Sequence, residues 1–300
     1  MTGPYPSRYW TLGSDPTSVV DIPITGVFTF LFLAGAVTHF TIFQVNLRRK
    51  HRFFLSIFCI GYSMSRVIAR VLRIVTTAKP ENLNVTVAYT IFLNIGVVFM
   101  YLLNLVLCRR ILRSNHPTVG SHHIGSIIFW GLCILIILTV VMILTVIIQS
   151  FFTLNIKTHL IDRDIQLYAL TLFAVISSIP LPVAFLALIS TNVGGESNLF
   201  RYRNPISRAA LLLFVTFFVC LGATYRCATT WLEPVSLKRP EPDYMNLGCF
   251  YVFYFAIDFI VIFAHAVGRV DRLYIEVNEC SEAKEDVPEV DGSEHSQFDL

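Results

Sequence analysis

The chain has 300 residues, 55% of them hydrophobic and only 14% charged, with 25 phenylalanines, a mean hydropathy of +0.65 and a formal net charge of +3. Soluble domains carry about a quarter charged residues; here the charges sit in short segments between apolar runs too long for ordinary core helices, which excludes a soluble globular fold and implies several membrane spans. Basic and aromatic residues do not interleave on any polar stretch, so a nucleic-acid partner is excluded as well.

Residues 1–21 lack a basic start followed by a short apolar stretch, so no cleaved signal peptide is expected, and they form a short segment ahead of the first span. Seven runs are then long enough to cross a hydrocarbon core, which takes about 20 helical residues at ~1.5 Å rise. They lie at 22–46, 53–75, 85–107, 124–150, 166–190, 208–232 and 247–268. None alternates with period two, and a span must satisfy its own backbone hydrogen bonds, so each reads as a helix. The fold class is therefore an all-α polytopic membrane protein: a seven-helix domain over 22–275, followed by the tail 276–300. That tail holds nine acids against one lysine and has the composition of a disordered, solvated end or of a partner-binding segment.

Loop charges give the orientation. Arg48, Arg49, Lys50 and Arg52 follow the first span, and Arg109, Arg110 and Arg113 the third. Arg201, Arg203 and Arg208 precede the sixth, and Arg269 and Arg272 follow the seventh, making twelve basic residues on one side. The other side carries six: Arg8, Lys79, Lys157, Arg163, Lys238 and Arg239. The positive-inside rule places the twelve in the cytosol, the N-terminus outside and the tail inside. Trp130 and Trp231 at span ends fit aromatic belts. Asn84-Val85-Thr86 is a glycosylation sequon on the expected outer side, directly against the third span. No sequence feature separates a plasma-membrane from an internal-membrane address.

The charges inside the spans carry the functional information. Arg66, Arg70 and Arg73 fall at i, i+4 and i+7 in the second span, on one helical face. Counted from Phe53, they lie about 20, 26 and 30 Å from the cytosolic edge, so Arg73 is expected to snorkel to the outer headgroups while Arg66 needs a partner in the bundle. Arg226 in the sixth span lies about level with Arg70. Asp258 in the seventh reads as the single acid deep within a span, about 5 Å below Arg66 in depth, and Arg66–Asp258 is the expected pair. Three deep arginines then face one carboxylate. Asp162 and Asp164 of the expected outer loop, freed helix carbonyls, cavity water or an anionic ligand are the candidates to answer Arg70 and Arg226. Guanidinium forks suit carboxylate and phosphate. Two readings stand: an outer-half cavity for an anionic amphiphile or lipid head, and plain interhelical pairing with snorkelling.

Pro180 and Pro182 in the fifth span remove backbone donors and predict a kink, read either as shape or as a hinge. Asn94 reads as interhelical glue and His39 and His265 as structural hydrogen-bonders. The seven cysteines show no metal-ligand spacing. Cys227 and Cys249 fall towards the outer face on neighbouring spans, open to a disulfide or to two buried free thiols. Cys108, beside Arg109, is a candidate for palmitoylation.

Five stretches carry a resemblance: THFTIFQVN, GYSMSRVIARVLRI, IDRDIQLY, CLGATYRCATTW and CFYVFYFAIDFIVIFAHAVGRVDR. Together they touch most of the chain from Thr38 to Arg272, and they resemble a fungal family of seven-helix membrane proteins catalogued as a domain of unknown function. That resemblance implies architecture and no particular chemistry. More distantly, Gly61-Tyr62, Tyr225-Arg226 and Phe250–Phe253 are similar to motifs of the fungal lipid-translocating exporter family, linked to resistance against membrane-active compounds. The chain departs from that family with Phe58 and Thr229 where it carries acids, and with Asp258 one turn late.

Three function classes follow. Lipid or amphiphile handling rests on the arginine surplus, the prolines of span five and the distant similarity. A receptor-like sensor with a cytosolic partner for its acidic tail fits seven spans, although the Asn-Pro-x-x-Tyr and Asp-Arg-Tyr patterns are missing. All five lysines lie in loops or the tail, so no Schiff-base amine for retinal exists in a span. A metal-dependent lipid hydrolase needs about three clustered ligands. Only His39, His265 and Asp258 lie within spans, and Asp258 and His265 are about 10 Å apart along one helix. No enzyme activity and no cofactor is expected; membrane lipids are the expected partners.

Overall fold

An apolar run buried in lipid can satisfy its N–H and C=O groups only within its own helix, and the computed structural model is built of such runs. It describes residues 3–13, 16–49, 55–115, 122–189 and 205–274. Arg52, Arg201, Arg203, Lys50 and the tail 276–300 lie outside these. The helices are α1 (Ser18–Arg48), α2 (Leu55–Ala78), α3 (Leu83–Asn115), α4 (His123–Phe152), α5 (Ile156–Ser178), α6 (Pro180–Ile189) and α7 (Pro205–Trp231). A short 3-10 turn, Asp243–Met245, leads into α8 (Leu247–Phe250), a π-helical turn Tyr251–Ala256, α9 (Ile257–Val267) and α10 (Val270–Leu273). With α5 and α6 forming one span and Asp243–Val267 another, seven helical stretches are long and apolar enough to cross a membrane. The described residues contain no strand, only an isolated bridge between Tyr9 and Ser236. The chain is thus a seven-helix integral membrane protein.

The second span is the hub. α2 packs most extensively on α1 and α3, α7 against α5 and α6, and α9 against α1 and α7. Its seam is polar for a physical reason: α2 is half buried and carries Ser56, Ser63, Ser65, Arg66, Arg70 and Arg73 on its buried face. By contrast α4, the most hydrophobic span, turns Ile127, Ile134, Leu138 and Val141 outward, as a lipid-facing wall should.

Several boundaries shift from the sequence expectation. The fifth span begins at Ile156, ten residues early, because the Asn155 side chain caps it by accepting from the Lys157 N–H (3.0 Å). Asp162 and Asp164 therefore sit on α5, not in a loop. The break in span five falls where the prolines require it, between Ser178 and Pro180. There Ile179 N–H bonds the Ile176 carbonyl (3.3 Å), and Ser177 and Ser178 donate to the carbonyls of Ala174 (2.9 Å) and Val175 (2.7 Å). These short local bonds satisfy the segment where proline leaves donors missing. The first span begins at Ser18, which draws Asp21 into its first turn.

The ends meeting at Arg48, Arg110, Arg208 and Arg272, the basic end of the bundle, are latched by α10, the short helix that follows the seventh span. Asp271 is 2% exposed and accepts from Arg269 Nε and Nη2 (3.0 Å each) and from Asn46 Nδ2 of α1 (2.9 Å). Burial pushes its carboxyl up, but these bonds outweigh burial and hold it below the usual carboxylate range. Arg269 adopts a left-handed backbone (φ 48°), which its two bonds to Asp271 stabilise. Tyr274 donates to the Arg208 carbonyl (2.6 Å) and accepts from Arg110 at its own carbonyl (2.7 Å).

Candidate functional site

Within the half of the bundle away from the basic end, three arginines converge on two aspartates, and a fourth, Arg226, lies beside them without a carboxylate. Arg66 is fully buried on α2, and its Nε lies 2.8 Å from Asp258 Oδ2 of α9. The contact is a close ion pair without hydrogen-bond alignment, as both atoms lack a hydrogen-bonded partner. Arg66 Nη1 donates to the Leu93 carbonyl of α3 (2.7 Å), and the guanidinium lies 5.0 Å from the Tyr62 ring. The pair expected from depth is present.

Arg70 is answered by carbonyls and rings. Its Nη2 is 3.9 Å from Asp258 Oδ2, Nη1 donates to Arg66 O (3.1 Å) and Nη2 to Tyr254 O (3.0 Å). Tyr254 belongs to the π-helical turn, whose i→i+5 pattern displaces carbonyls from their usual partners. The guanidinium lies between the rings of Phe32 (3.9 Å) and Phe255 (4.2 Å), a cation–π sandwich well suited to a dry interior. Arg70 is answered by the helix carbonyls of Arg66 and Tyr254, not by Asp162 or Asp164.

Arg73 overturns the snorkelling expectation. It is 4% exposed and makes a forked contact with Asp21: Nε to both carboxylate oxygens (3.0 Å each) and Nη2 to Oδ1 (2.9 Å). Its Nη2 also donates to the Gly13 carbonyl (3.1 Å), and its guanidinium packs over Phe250 at 4.1 Å. Asp21, fully buried, further accepts from Thr77 (2.9 Å) and Tyr251 (2.7 Å). A forked, multiply bonded carboxylate is a better place for Arg73 than a headgroup reached by stretching. Sequence reading missed Asp21 because it placed the residue outside the first span. Its position within a turn of an apolar run was the available signal.

Arg226 differs from the rest. Its Nε donates to Gly222 O of its own helix (3.2 Å) and Nη2 to the Tyr101 hydroxyl of α3 (3.3 Å), with Tyr254's ring 5.3 Å away. It is half-buried, and among the described residues no carboxylate pairs with it. The tally of four arginines against two aspartates leaves an excess of two positive charges.

Other expected positions resolve plainly. Cys227 and Cys249 are free thiols: the Cys227 sulfur faces the Thr171 hydroxyl (3.6 Å) and that of Cys249 the Asp243 carbonyl (3.8 Å), so the disulfide alternative is corrected. Cys108 is buried at 7% exposure, which keeps it from presenting a surface thiol for acylation. Asn94 bonds back to Thr90 O of its own helix (2.8 Å) in place of bridging helices. His39 and His265 contact the carbonyls of Ile262 (3.3 Å) and Val261 (2.8 Å). Asn84 is exposed on the first turn of α3. Among the described residues, no three His, Cys, Asp or Glu side chains gather as a metal site.

No protein-family model matches the chain, and no curated protein matches it.

Proposed function

We propose that this membrane protein handles or responds to anionic lipids or amphiphiles, with Arg226 as the group that meets the anionic head. The observation that carries this reading is the uncompensated charge: four buried or half-buried arginines against two aspartates, with Arg226 half-buried and bonded only to a helix carbonyl and a tyrosine hydroxyl. An uncompensated cation in a low-dielectric interior is costly, and a bound phosphate or carboxylate lowers that cost through forked hydrogen bonds. Arg66 and Arg70 are buried and their guanidiniums are taken up by Asp258, helix carbonyls and rings, so the reading rests on Arg226, the half-buried member of the cluster. The distant similarity of Gly61-Tyr62, Tyr225-Arg226 and Phe250–Phe253 to motifs of fungal lipid-translocating exporters fits a role of this kind. Reconstitution into liposomes with a fluorescent anionic phospholipid tests it. Arg226→Gln, checked for a monodisperse folded chain, is expected to lose translocation or ligand-induced stabilisation, and unchanged behaviour would remove Arg226 from the function.

A second reading, a sensor that signals to a cytosolic partner of the acidic tail, is favoured by the π-helical turn in the seventh span. Such turns frequently mark functional sites, and this one holds Arg70 through Tyr254 O. Amphiphile-dependent recruitment of a cytosolic protein, without translocation, separates it from the first.

A further inference from the structure

A second basic site lies at the other end of the bundle. Between α2, α3 and α4 runs a groove of about 410 Å³, with Arg109, Arg110 and Arg113 at one end and apolar walls that include Phe58, Trp130 and Ile137. We propose that this groove binds one anionic phospholipid, its phosphate among the three guanidiniums and an acyl chain along the apolar walls.

The shape argues for a lipid. Below the arginines the apolar walls run about 10 Å along α3, from Arg109 back to Leu102, and about 12 Å along α4, from Phe129 to Ile137, most of the ~15 Å depth of one leaflet's hydrocarbon. A cationic mouth over an apolar channel that reaches well into one leaflet matches a charged head and the upper part of its chain. The outer wall is lipid-facing: Trp130 is 61% exposed and Ile137 half exposed, so the groove opens sideways to the bilayer. The cations are held in place. Arg109 donates to Ser126 Oγ (2.8 Å) and lies 4.5 Å over the Phe129 ring, while Arg110 grips the Tyr274 carbonyl (2.7 Å). Preorganised guanidiniums lose less entropy on gripping a phosphate than free surface side chains do. The positive-inside rule assigns this end to the cytosol, the face where anionic lipids concentrate and where basic interhelical pockets take their heads.

The site is separate from Arg226 and does not rest on the function proposed above. Its competitor is the chain's own acidic tail, which begins two residues beyond Tyr274. The apolar channel favours the lipid, because the first stretch of the tail, Glu276 to Asp286, offers an acid at nearly every third position and only Val277 and Ala283 as apolar side chains for walls such as Phe58 and Ile137.

The test is native mass spectrometry of the full chain, delipidated and then mixed with phosphatidylserine or phosphatidylcholine. One phosphatidylserine adduct is expected to survive at activation energies that strip phosphatidylcholine. Arg113→Ala is expected to lower its occupancy about tenfold, the worth of one charge-assisted contact of about 1.5 kcal/mol. Arg109→Ala is expected to do the same, whereas Arg8→Ala, at an exposed position of the N-terminal segment, leaves the adduct in place. Equal retention of both lipids, or insensitivity to Arg113→Ala and Arg109→Ala together, would overturn the proposal. An adduct that appears only when Glu276, Glu279 and Glu282 are changed to Gln would assign the groove to the tail and overturn it too.

Discussion

Arg73 and Asp21 lock the first two spans together from opposite sides of a sealed contact. The carboxylate receives Arg73 through Nε and Nη2 at 2.9–3.0 Å, with Thr77 and Tyr251 bonding the same two oxygens. Because Arg73 also reaches Gly13 O, one guanidinium ties the N-terminal segment, α1 and α2.

Removing the carboxylate leaves a buried cation with the Gly13 carbonyl and the Tyr89 hydroxyl (3.3 Å). Asp21→Ala is therefore expected to destabilise by about 3–5 kcal/mol, on the order of a 10 °C fall in the melting midpoint of the detergent-solubilised chain. The check is a thermal scan read by fluorescence-detected size exclusion. Arg73→Leu with Asp21→Leu, which removes both charges, is expected to recover most of the loss, and a double variant as unstable as the single one would show that the pair is not the lock.

Gly96 leaves room for Ser65 beside the buried Arg66. A Cβ built there would lie 2.5 Å from Ser65 Oγ and 3.4 Å from the Arg66 guanidinium carbon and Nη1, and the Ser65 hydroxyl is already committed to Tyr62 O (2.7 Å). Gly96→Ala is expected to cost about 1–3 kcal/mol by overpacking. Adding Ser65→Ala removes the clashing oxygen and is expected to restore most of it, measured as the same melting midpoint.

Architecture and one ion pair were legible in the sequence, because span length, loop charge and depth are one-dimensional quantities. Arg66 and Asp258 could be matched by counting residues along their helices. Asp21 could not, since a carboxylate at the edge of a span reads as loop until the helix start at Ser18 is known. The partners of Arg70 were hidden for another reason: the Tyr254 carbonyl comes from a π-helical turn that no sequence pattern announced, and two phenylalanines brought in from α1 and the seventh span supply the rest. The groove beside Arg113 was invisible because it depends on which faces of α3 and α4 meet.

The Arg66–Asp258 pair makes its own prediction. Asp258 Oδ2 is the nearest carboxylate oxygen to two guanidiniums, at 2.8 Å from Arg66 and 3.9 Å from Arg70. Asp258→Asn is thus expected to cost more than a single pair would suggest, because it uncovers two buried cations at once. A double-mutant cycle with Arg66→Met and Asp258→Leu is expected to return a coupling on the order of 1–3 kcal/mol. Additive losses would mean that the two side chains are neighbours without being partners.

The latch at the basic end gives a pH dependence with a definite sign. Asp271 is buried, yet its bonds from Arg269 and Asn46 hold its carboxyl below the ordinary value of 3.8. A carboxyl depressed in the folded state contributes stability above the unfolded value and loses it as pH falls through the folded one. The wild-type chain is therefore expected to keep this contribution at neutral pH and to shed it below about pH 4. Asp271→Asn removes the charge that Arg269 grips and is expected to lower the melting midpoint by several degrees at pH 7. Because protonation does to the wild type what the substitution does to the variant, the gap between them is expected to narrow as the pH drops below about 4. Melting curves of both chains across that range decide it, and a gap that stays constant with pH would mean that the Asp271 charge does not hold the seventh span to α1.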